Sequence, residues 1–294
     1  MSLPAPIPEI ATFHKGADGL TRLRIASALA TAEITLDGAH VTHFQPAGAA
    51  PILFLSRCSY FAPGKPIRGG VPICFPWFGP RTGHPESPAH GFARTRRWTA
   101  ESLIAAESGS VTAVFRLSSD DDTRVHWPQD FIARLRVEVS QQLTMTLEVE
   151  NTGGAPLQFE EALHTYFAVS DVREVAITGL EGAAYLDKTD SLQRKRLGSE
   201  PLRIVSETDR VFPATTATCT IDDPALQRRI VIEKSGSQTT VVWNPWVAKA
   251  AAMPDFGDGE WPQMLCIETA NTGDDGITLA PGAVHAMTAT IRLG

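Results

Sequence analysis

Residues 133–153 read ARLRVEVSQQLTMTLEVENTG. In 133–140 and again in 143–153, valine, leucine and threonine alternate with polar residues. A period of two places one set of side chains on each face of an extended chain, the pattern of a half-buried antiparallel strand. VTAVFRL (111–117) repeats it just upstream. Further out, LRIASALATAEITLD (23–37) reads as two strands or one bent strand. VREVAITGL (172–180), RRIVIEKSG (228–236), QTTVVWNP (238–245) and AMTATIRLG (286–294) add more β-prone runs, separated by Gly, Pro, Asn or Asp. Long amphipathic helical patterns are scarce. Many short strands at close spacing predict an all-β fold, a large antiparallel sandwich or barrel. With no linker, repeat or low-complexity block, a single domain is expected over residues 1–294.

The bulk composition narrows the function classes. The 294 residues are 43% hydrophobic, enough for a large core, and the net charge is −7. No basic run exceeds RTRRW (94–98), so no nucleic-acid footprint is expected. MSLPAPIPEI lacks a basic lead into an apolar core, and the apolar windows are short, so neither a signal peptide nor a membrane helix is expected. This favours the cytoplasm. The four cysteines, Cys58, Cys74, Cys219 and Cys266, form no CxxC pair and sit in or beside apolar or β-prone runs. They are expected to be buried thiols rather than disulfides or zinc ligands.

Two stretches break the strand pattern, 56–100 and 244–263, and they hold four of the six tryptophans. Irregular segments this long are usually functional or disordered, and the tryptophans argue for packed loops lining a site. The first contains IRGGVPICFPWFGP (67–80). Its prolines restrict the chain, Gly69 and Gly70 allow a sharp turn, and the apolar run anchors a loop that holds Arg68 in place. In PAHGFARTRRW (88–98), His90 and Arg94 stand four apart. Guanidinium groups present a planar fork of donors suited to a phosphate or a sugar.

In FEEALHTYFAVSDV (159–172) a period of two puts Phe159, Leu163, Phe167 and Val169 on one face, and Glu160, Ala162, His164 and Tyr166 on the other. A lone strand histidine is more often structural than catalytic. In MLCIETANTGDDG (264–276) an apolar run leads straight into Glu268. A carboxylate there is paired, hydrogen-bonded or shifted in pKa if the strand is buried, and merely solvated if the strand has ended. No HxH or HExxH metal spacing, GxGxxG, Walker or GxSxG pattern occurs, so no metal or cofactor is expected.

These segments together resemble the aldose 1-epimerase (mutarotase) superfamily, and within it the hexose-6-phosphate mutarotases. LDGAHVTHFQP (36–46), IRGGVPICFPWFGP, HGFAR (90–94), EALHTYFAVSD (161–171), ETDRVF (207–212), VVWNPW (241–246) and ETANTGDDGITLAPGAVHAMTATI (268–291) follow in the family's order over nearly the whole chain. The resemblance implies an antiparallel β-supersandwich and cofactor-free interconversion of the α and β anomers of an aldohexose phosphate. By motif, His164 is the expected general acid and Glu268 the general base. Arg68, Arg94 and Asp209 match substrate-binding positions, with His90 nearby. One departure is Ala89, where relatives often carry glutamine. Mutarotation needs one base for the C1 hydroxyl and one acid for the ring oxygen. An ionised Glu268 and a protonated His164, each favouring the other's charge, are therefore expected. The expected partner is a small sugar phosphate, bound by a monomer without nucleic acid or membrane. A free-sugar epimerase and a non-catalytic carbohydrate-binding sandwich are the alternatives.

Overall fold

A computed structural model describes residues 3–294. The strand pair read from the sequence is present as Phe131–Val139 and Leu143–Asn151, in continuous antiparallel register from Phe131 opposite Asn151 to Val139 opposite Leu143. Leu143, Met145, Leu147 and Val149 are fully buried and the residues between them half-exposed. Each such side chain contributes about 1.5–3 kcal/mol by leaving water. One antiparallel sheet grows around this pair in the order Ala176–Thr178, Cys219–Asp223, Arg228–Ser235, Val284–Leu293, Leu143–Asn151, Phe131–Val139, Val111–Ser118, Thr99–Ala105.

A second antiparallel sheet carries the candidate site. Its order is Gln193–Arg196, Ala184–Asp187, Thr208–Phe212, Thr239–Asn244, Met264–Asn271, Glu161–Leu163, Ile73–Cys74, with Tyr166–Ala168 also paired to Met264–Asn271. A smaller sheet of Ala11–Lys15, Thr21–Ala26, Ala30–Thr35 and His40–Pro46 precedes both, so 23–37 is two strands rather than one bent strand. Apolar residues from all three sheets share one core. Two α-helices of six residues occur among the described residues, Asp121–His126 and Trp246–Ala251. The first is capped by Asp120, whose carboxylate accepts from the Thr123 N–H while Thr123 Oγ1 accepts from Asp120 N–H. No helix among the described residues is long and apolar enough to cross a membrane.

Met264–Asn271 is buried at every position. Met264, Leu265, Cys266 and Ile267 of this strand, with Leu163 and Phe167, belong to the common core. On the opposite face Cys74, Ala162, Val241 and Ala270 form a separate small apolar cluster, against which Phe78 and Val211 pack. That second face is where the cavity described below opens. Cys74, Cys219 and Cys266 are buried free thiols as expected, but Cys58 is exposed. It follows Arg57 on a surface turn anchored by Ser56 and Glu260, so its own side chain has nothing to pack against.

Candidate active site

The pairing of 161–168 with 264–271 decides where the site lies. Glu161 stands opposite Asn271, Ala162 opposite Ala270, Leu163 opposite Thr269, and Tyr166 opposite Cys266. One register runs through all four pairs, so His164 falls opposite Glu268. The ladder is interrupted only at 164 and 165, where His164 N–H donates instead to the Pro72 carbonyl at 3.0 Å. Neighbouring side chains on one face of an antiparallel pair touch, and His164 Nε2 lies 3.3 Å from Glu268 Oε1. His164 and Glu268 are 7% and 2% exposed.

Burial governs their protonation. It holds the His164 imidazole well below its ordinary pKa, helped by His90 and the Arg94 and Arg68 charges. It pushes the Glu268 carboxyl well above its ordinary range, and the neighbouring Asp209 adds to this against Lys188 and Arg94. The sequence-based expectation of a resting ionised pair is therefore corrected. Mutual attraction favours both charged forms, but desolvation of two nearly inaccessible groups outweighs it. A neutral histidine beside a carboxylic acid carries the same number of protons as the ion pair, so the two states interconvert by one proton shift. His164 Nδ1 and Glu268 Oε2 have no partner within the protein. Buried polar atoms are normally satisfied, and hydroxyl and ether oxygens of a ligand would satisfy these.

Around the pair is a cavity of about 270 Å³, lined among others by Arg68, Phe78, His90, Lys188, Asp209, Trp243, Lys249 and Met253. This is near the lower end of the ~300–1,000 Å³ usual for small-molecule sites. A larger cavity of about 400 Å³, walled by Trp77, Arg81, Trp127, Gln158 and Glu160, contains no histidine and no acid–base pair. The smaller one is the candidate site on chemistry rather than size.

Arg68 sits where the rigid loop was expected to hold it. Gly69 and Gly70 have φ of +118° and +60°, and a Cβ on Gly70 would strike the Val41 carbonyl and the His40 ring. His40, buried and kept neutral at a pKa of about 4, donates from Nε2 to the Gly69 carbonyl at 2.7 Å. The Arg68 guanidinium donates from Nε and Nη2 to Asp255 Oδ2 at 3.2 and 3.1 Å, and from Nη1 to the Tyr166 hydroxyl at 3.1 Å. The Tyr166 ring in turn stacks on His164, with centroids 4.8 Å apart.

His90 has φ of +64°, next to Gly91 at +72°. The Gly79 N–H donates to its Nδ1 at 3.3 Å, which leaves the ring proton on Nε2. Burial, with the Arg94 and Lys188 charges, depresses its pKa to about 3, so His90 is a neutral donor. Asp209 lies opposite Trp243 in the sheet and pairs with Lys188 at 3.2 Å.

Of the residues expected from sequence, Arg68, His90, His164, Asp209 and Glu268 line the cavity together. Arg94 is not among its walls; its Nη2 donates to the Ala89 carbonyl at 2.8 Å. Lys188, Lys249 and the brace Asp255 were not anticipated. Lys188 sits at the tip of the hairpin between Ala184–Asp187 and Gln193–Arg196, and Lys249 on the short helix Trp246–Ala251. Both flanking segments are irregular in hydrophobic pattern, so only the location of Lys249 inside the tryptophan-rich stretch 244–263 was a usable signal.

With this geometry in hand, similarities to known proteins are informative. A protein of Cenchrus ciliaris, named "Putative glucose-6-phosphate 1-epimerase", is 38% identical over 95% of this chain and 86% of its own. One of Escherichia coli K12 with the same name is 35% identical over 81% of this chain and 79% of its own. Among solved structures, a Salmonella typhimurium protein titled a "putative mutarotase" superposes with a TM-score of 0.92 at 29% identity, covering 100% of this chain and 96% of that one. A galactose mutarotase related enzyme of Lactobacillus acidophilus has the same fold, with a TM-score of 0.75 at 13% identity over 93% and 97% of the two chains. The pattern of the aldose 1-epimerase family matches residues 21–292. From its second sheet to its paired histidine and glutamate, the chain belongs to the aldose 1-epimerase family.

Proposed function

We propose that this protein interconverts the α and β anomers of an aldohexose 6-phosphate, glucose 6-phosphate foremost, with His164 and Glu268 as the acid–base couple. The observation that carries the reading is their 3.3 Å contact inside a cavity that also holds three cationic side chains, Arg68, Lys188 and Lys249. The names of the relatives point to the same substrate.

In the mechanism, Glu268 as carboxylate takes the proton of the C1 hydroxyl while imidazolium His164 gives one to the ring oxygen. The C1–ring-oxygen bond breaks, leaving an aldehyde at C1 and a hydroxyl at C5. The enzyme now holds a carboxylic acid and a neutral imidazole. After rotation about C1–C2 the C5 hydroxyl attacks the other face of the aldehyde. His164 recovers its proton from that oxygen and Glu268 returns one to the new C1 oxygen, so protons balance.

Burial helps this cycle. A carboxylate whose pKa is raised is a stronger base, and an imidazolium whose pKa is lowered is a stronger acid. The uncharged pair that burial favours is also the pair that accompanies the open-chain aldehyde. His90 Nε2–H and Arg68 supply donors for substrate oxygens, and Asp209 accepts from sugar hydroxyls. Exchange between the anomers of glucose 6-phosphate, followed by NMR, tests the reading. Micromolar enzyme is expected to accelerate the exchange. Binding of the sugar phosphate without acceleration would instead support a carbohydrate-binding sandwich, and a preference for glucose would support the free-sugar epimerase.

A further inference from the structure

We propose that Glu260 is the positioning residue of Arg68: its carboxylate ties the turn that carries Arg68 to the turn that carries Asp255, on which the guanidinium rests. The inference goes beyond the reading above and rests on it only in taking Arg68 as a group that binds substrate. Glu260 is not among the cavity's walls. It is 3% exposed, and both its oxygens are doubly engaged. Oε2 accepts from Ser56 Oγ at 2.7 Å and from the Gly257 N–H at 3.1 Å. Oε1 accepts from the Arg57 N–H at 3.1 Å and from Arg57 Nε at 3.0 Å. Burial alone would raise the carboxyl's pKa, but these donors hold it below the ordinary range, so Glu260 is an ionised acceptor. The Arg57 side chain is 85% exposed and its charge adds little. Ser56 and the two backbone N–H groups carry the clamp.

Neither 56–68 nor 252–260 contains a strand, so no ladder aligns these segments with each other. Side-chain bonds do it instead. The Ser56 N–H donates to the Arg68 carbonyl at 3.0 Å, and Ser59 Oγ accepts from the Arg68 N–H at 2.7 Å, so the turn at 56–59 fixes the arginine's backbone. Gly257 is two residues past Asp255, whose Oδ2 accepts from Arg68 Nε and Nη2. One carboxylate therefore holds both ends of the Arg68–Asp255 pair, the arginine through Ser56 and its partner through Gly257. The rings of Phe54 and Phe256, with centroids 5.8 Å apart, pack the same two segments together. Arg68 Nη1 also donates to the Tyr166 hydroxyl, and Tyr166 stacks on His164, so a misplaced guanidinium disturbs the acid as well as the substrate. Glutamine at 260 would have the same shape but a single acceptor oxygen. With that oxygen on Arg57, its amide nitrogen would meet the Gly257 N–H donor against donor, and the turn bearing Asp255 would be released.

A double-mutant cycle on the full-length protein tests the proposal, with anomer exchange of glucose 6-phosphate as the assay. Glu260→Gln is expected to lower kcat/KM by about 10- to 100-fold, the effect of a small misplacement of a binding group. In an Arg68→Met background the same change is expected to cost less than about twofold, because the group it positions is gone. A second readout needs no activity. The Arg68 Nε–H NMR signal, assigned by its loss in Arg68→Met, is expected to exchange with solvent at least about tenfold faster in Glu260→Gln. Ser56→Ala, which removes one donor and leaves the charge, carries the same cycle and the same NMR measurement where Glu260→Gln fails to fold. An equal loss in both backgrounds would make Glu260 a support of the fold at large. An Arg68 Nε–H that exchanges as in wild type, or an unchanged kcat/KM in the folded variant, would show that Glu260 does not place the guanidinium. Any of the three overturns the assignment. A wild type that accelerates exchange of neither glucose 6-phosphate nor glucose would remove the functional reading, and the Nε–H exchange alone would then decide whether Glu260 holds Arg68.

Discussion

Replacing Glu268 by glutamine separates what this side chain does for catalysis from what it costs the fold. The carboxyl is 2% exposed, one of its oxygens has no partner, and burial and Asp209 push its pKa well above the ordinary range. Glutamine keeps the shape and removes both the titration and the basicity. The rate of anomer exchange is expected to fall by at least about 100-fold, the lower end of what a positioned base contributes. Stability moves the other way, with a definite dependence on pH. A carboxyl whose folded pKa lies above its unfolded value of about 4.3 binds more protons in the folded state between those two values. Its stabilising contribution is whole below the unfolded pKa and is lost as pH rises through the folded one. Wild-type stability therefore declines through this window by up to about 1.4 kcal/mol per pH unit relative to Glu268→Gln. The gap opens from about pH 4.3 and levels off once Glu268 ionises in the folded protein. His164, with its depressed pKa, contributes an opposite trend below about pH 6.5. His164 touches Glu268 and its titration changes with the substitution, so the same comparison made in a His164→Asn background isolates Glu268. Urea unfolding at half-unit pH steps measures the gap, and the NMR exchange assay measures the rate. Parallel stability curves would show that burial does not hold this carboxyl protonated. A rate within about threefold of wild type would exclude it as the base, since a positioned base contributes far more.

Two other sites give independent tests. His285 Nε2 lies 2.8 Å from Oε1 of fully buried Glu161, and this hydrogen bond, against partial burial, raises the histidine's pKa. Its contribution is present below the unfolded value of about 6.5 and is lost as pH rises through the folded value. His285→Gln is therefore expected to cost more stability at pH 6 than at pH 9, by about 1 kcal/mol, read from urea midpoints at the two pH values. Gly91→Ala is expected to destabilise by about 2–4 kcal/mol in the same assay, because a Cβ at φ +72° would run into the Phe75 carbonyl that the loop bonds across. If that variant is as stable as wild type, the close packing of the His90 loop on Phe75 is not what positions it.

The sequence was informative where a single periodicity governs a segment, and less so where two constraints overlap. The alternation in 131–151 has one face in the core and one in water, and the strands lie where the pattern puts them. The run 159–172 has the expected division of faces, but both faces are buried and the backbone is cut into Leu157–Phe159, Glu161–Leu163 and Tyr166–Ala168. No periodicity marks those breaks, because they arise from pairing with the loop around Gly70 and Pro72 rather than from local preference. His164 and Glu268, expected from their motifs, line one cavity, but the ionised resting pair expected of them is opposed by burial, which depends on how deeply the second face is covered. Lys188, Lys249 and Asp255 were missed for another reason. Each stands on a turn or a six-residue helix, where polar residues are ordinary and, apart from the tryptophan-rich setting of Lys249, nothing in the chain distinguishes a cavity wall from a solvated surface.

The uninterrupted register between 161–166 and 266–271 has a consequence for how such a chain tolerates change in length. The alignment of His164 with Glu268 is a count of residues along two neighbouring strands. Adding or deleting one residue between Ala162 and His164, or between Glu268 and Ala270, would turn one partner toward the common core and leave the other facing the cavity alone. Turns elsewhere in the molecule can lengthen with little effect on this alignment. Changes of length at the cavity's rim thus leave the pair aligned, while the spacing inside these two strands is fixed by the need to keep both side chains in one cavity.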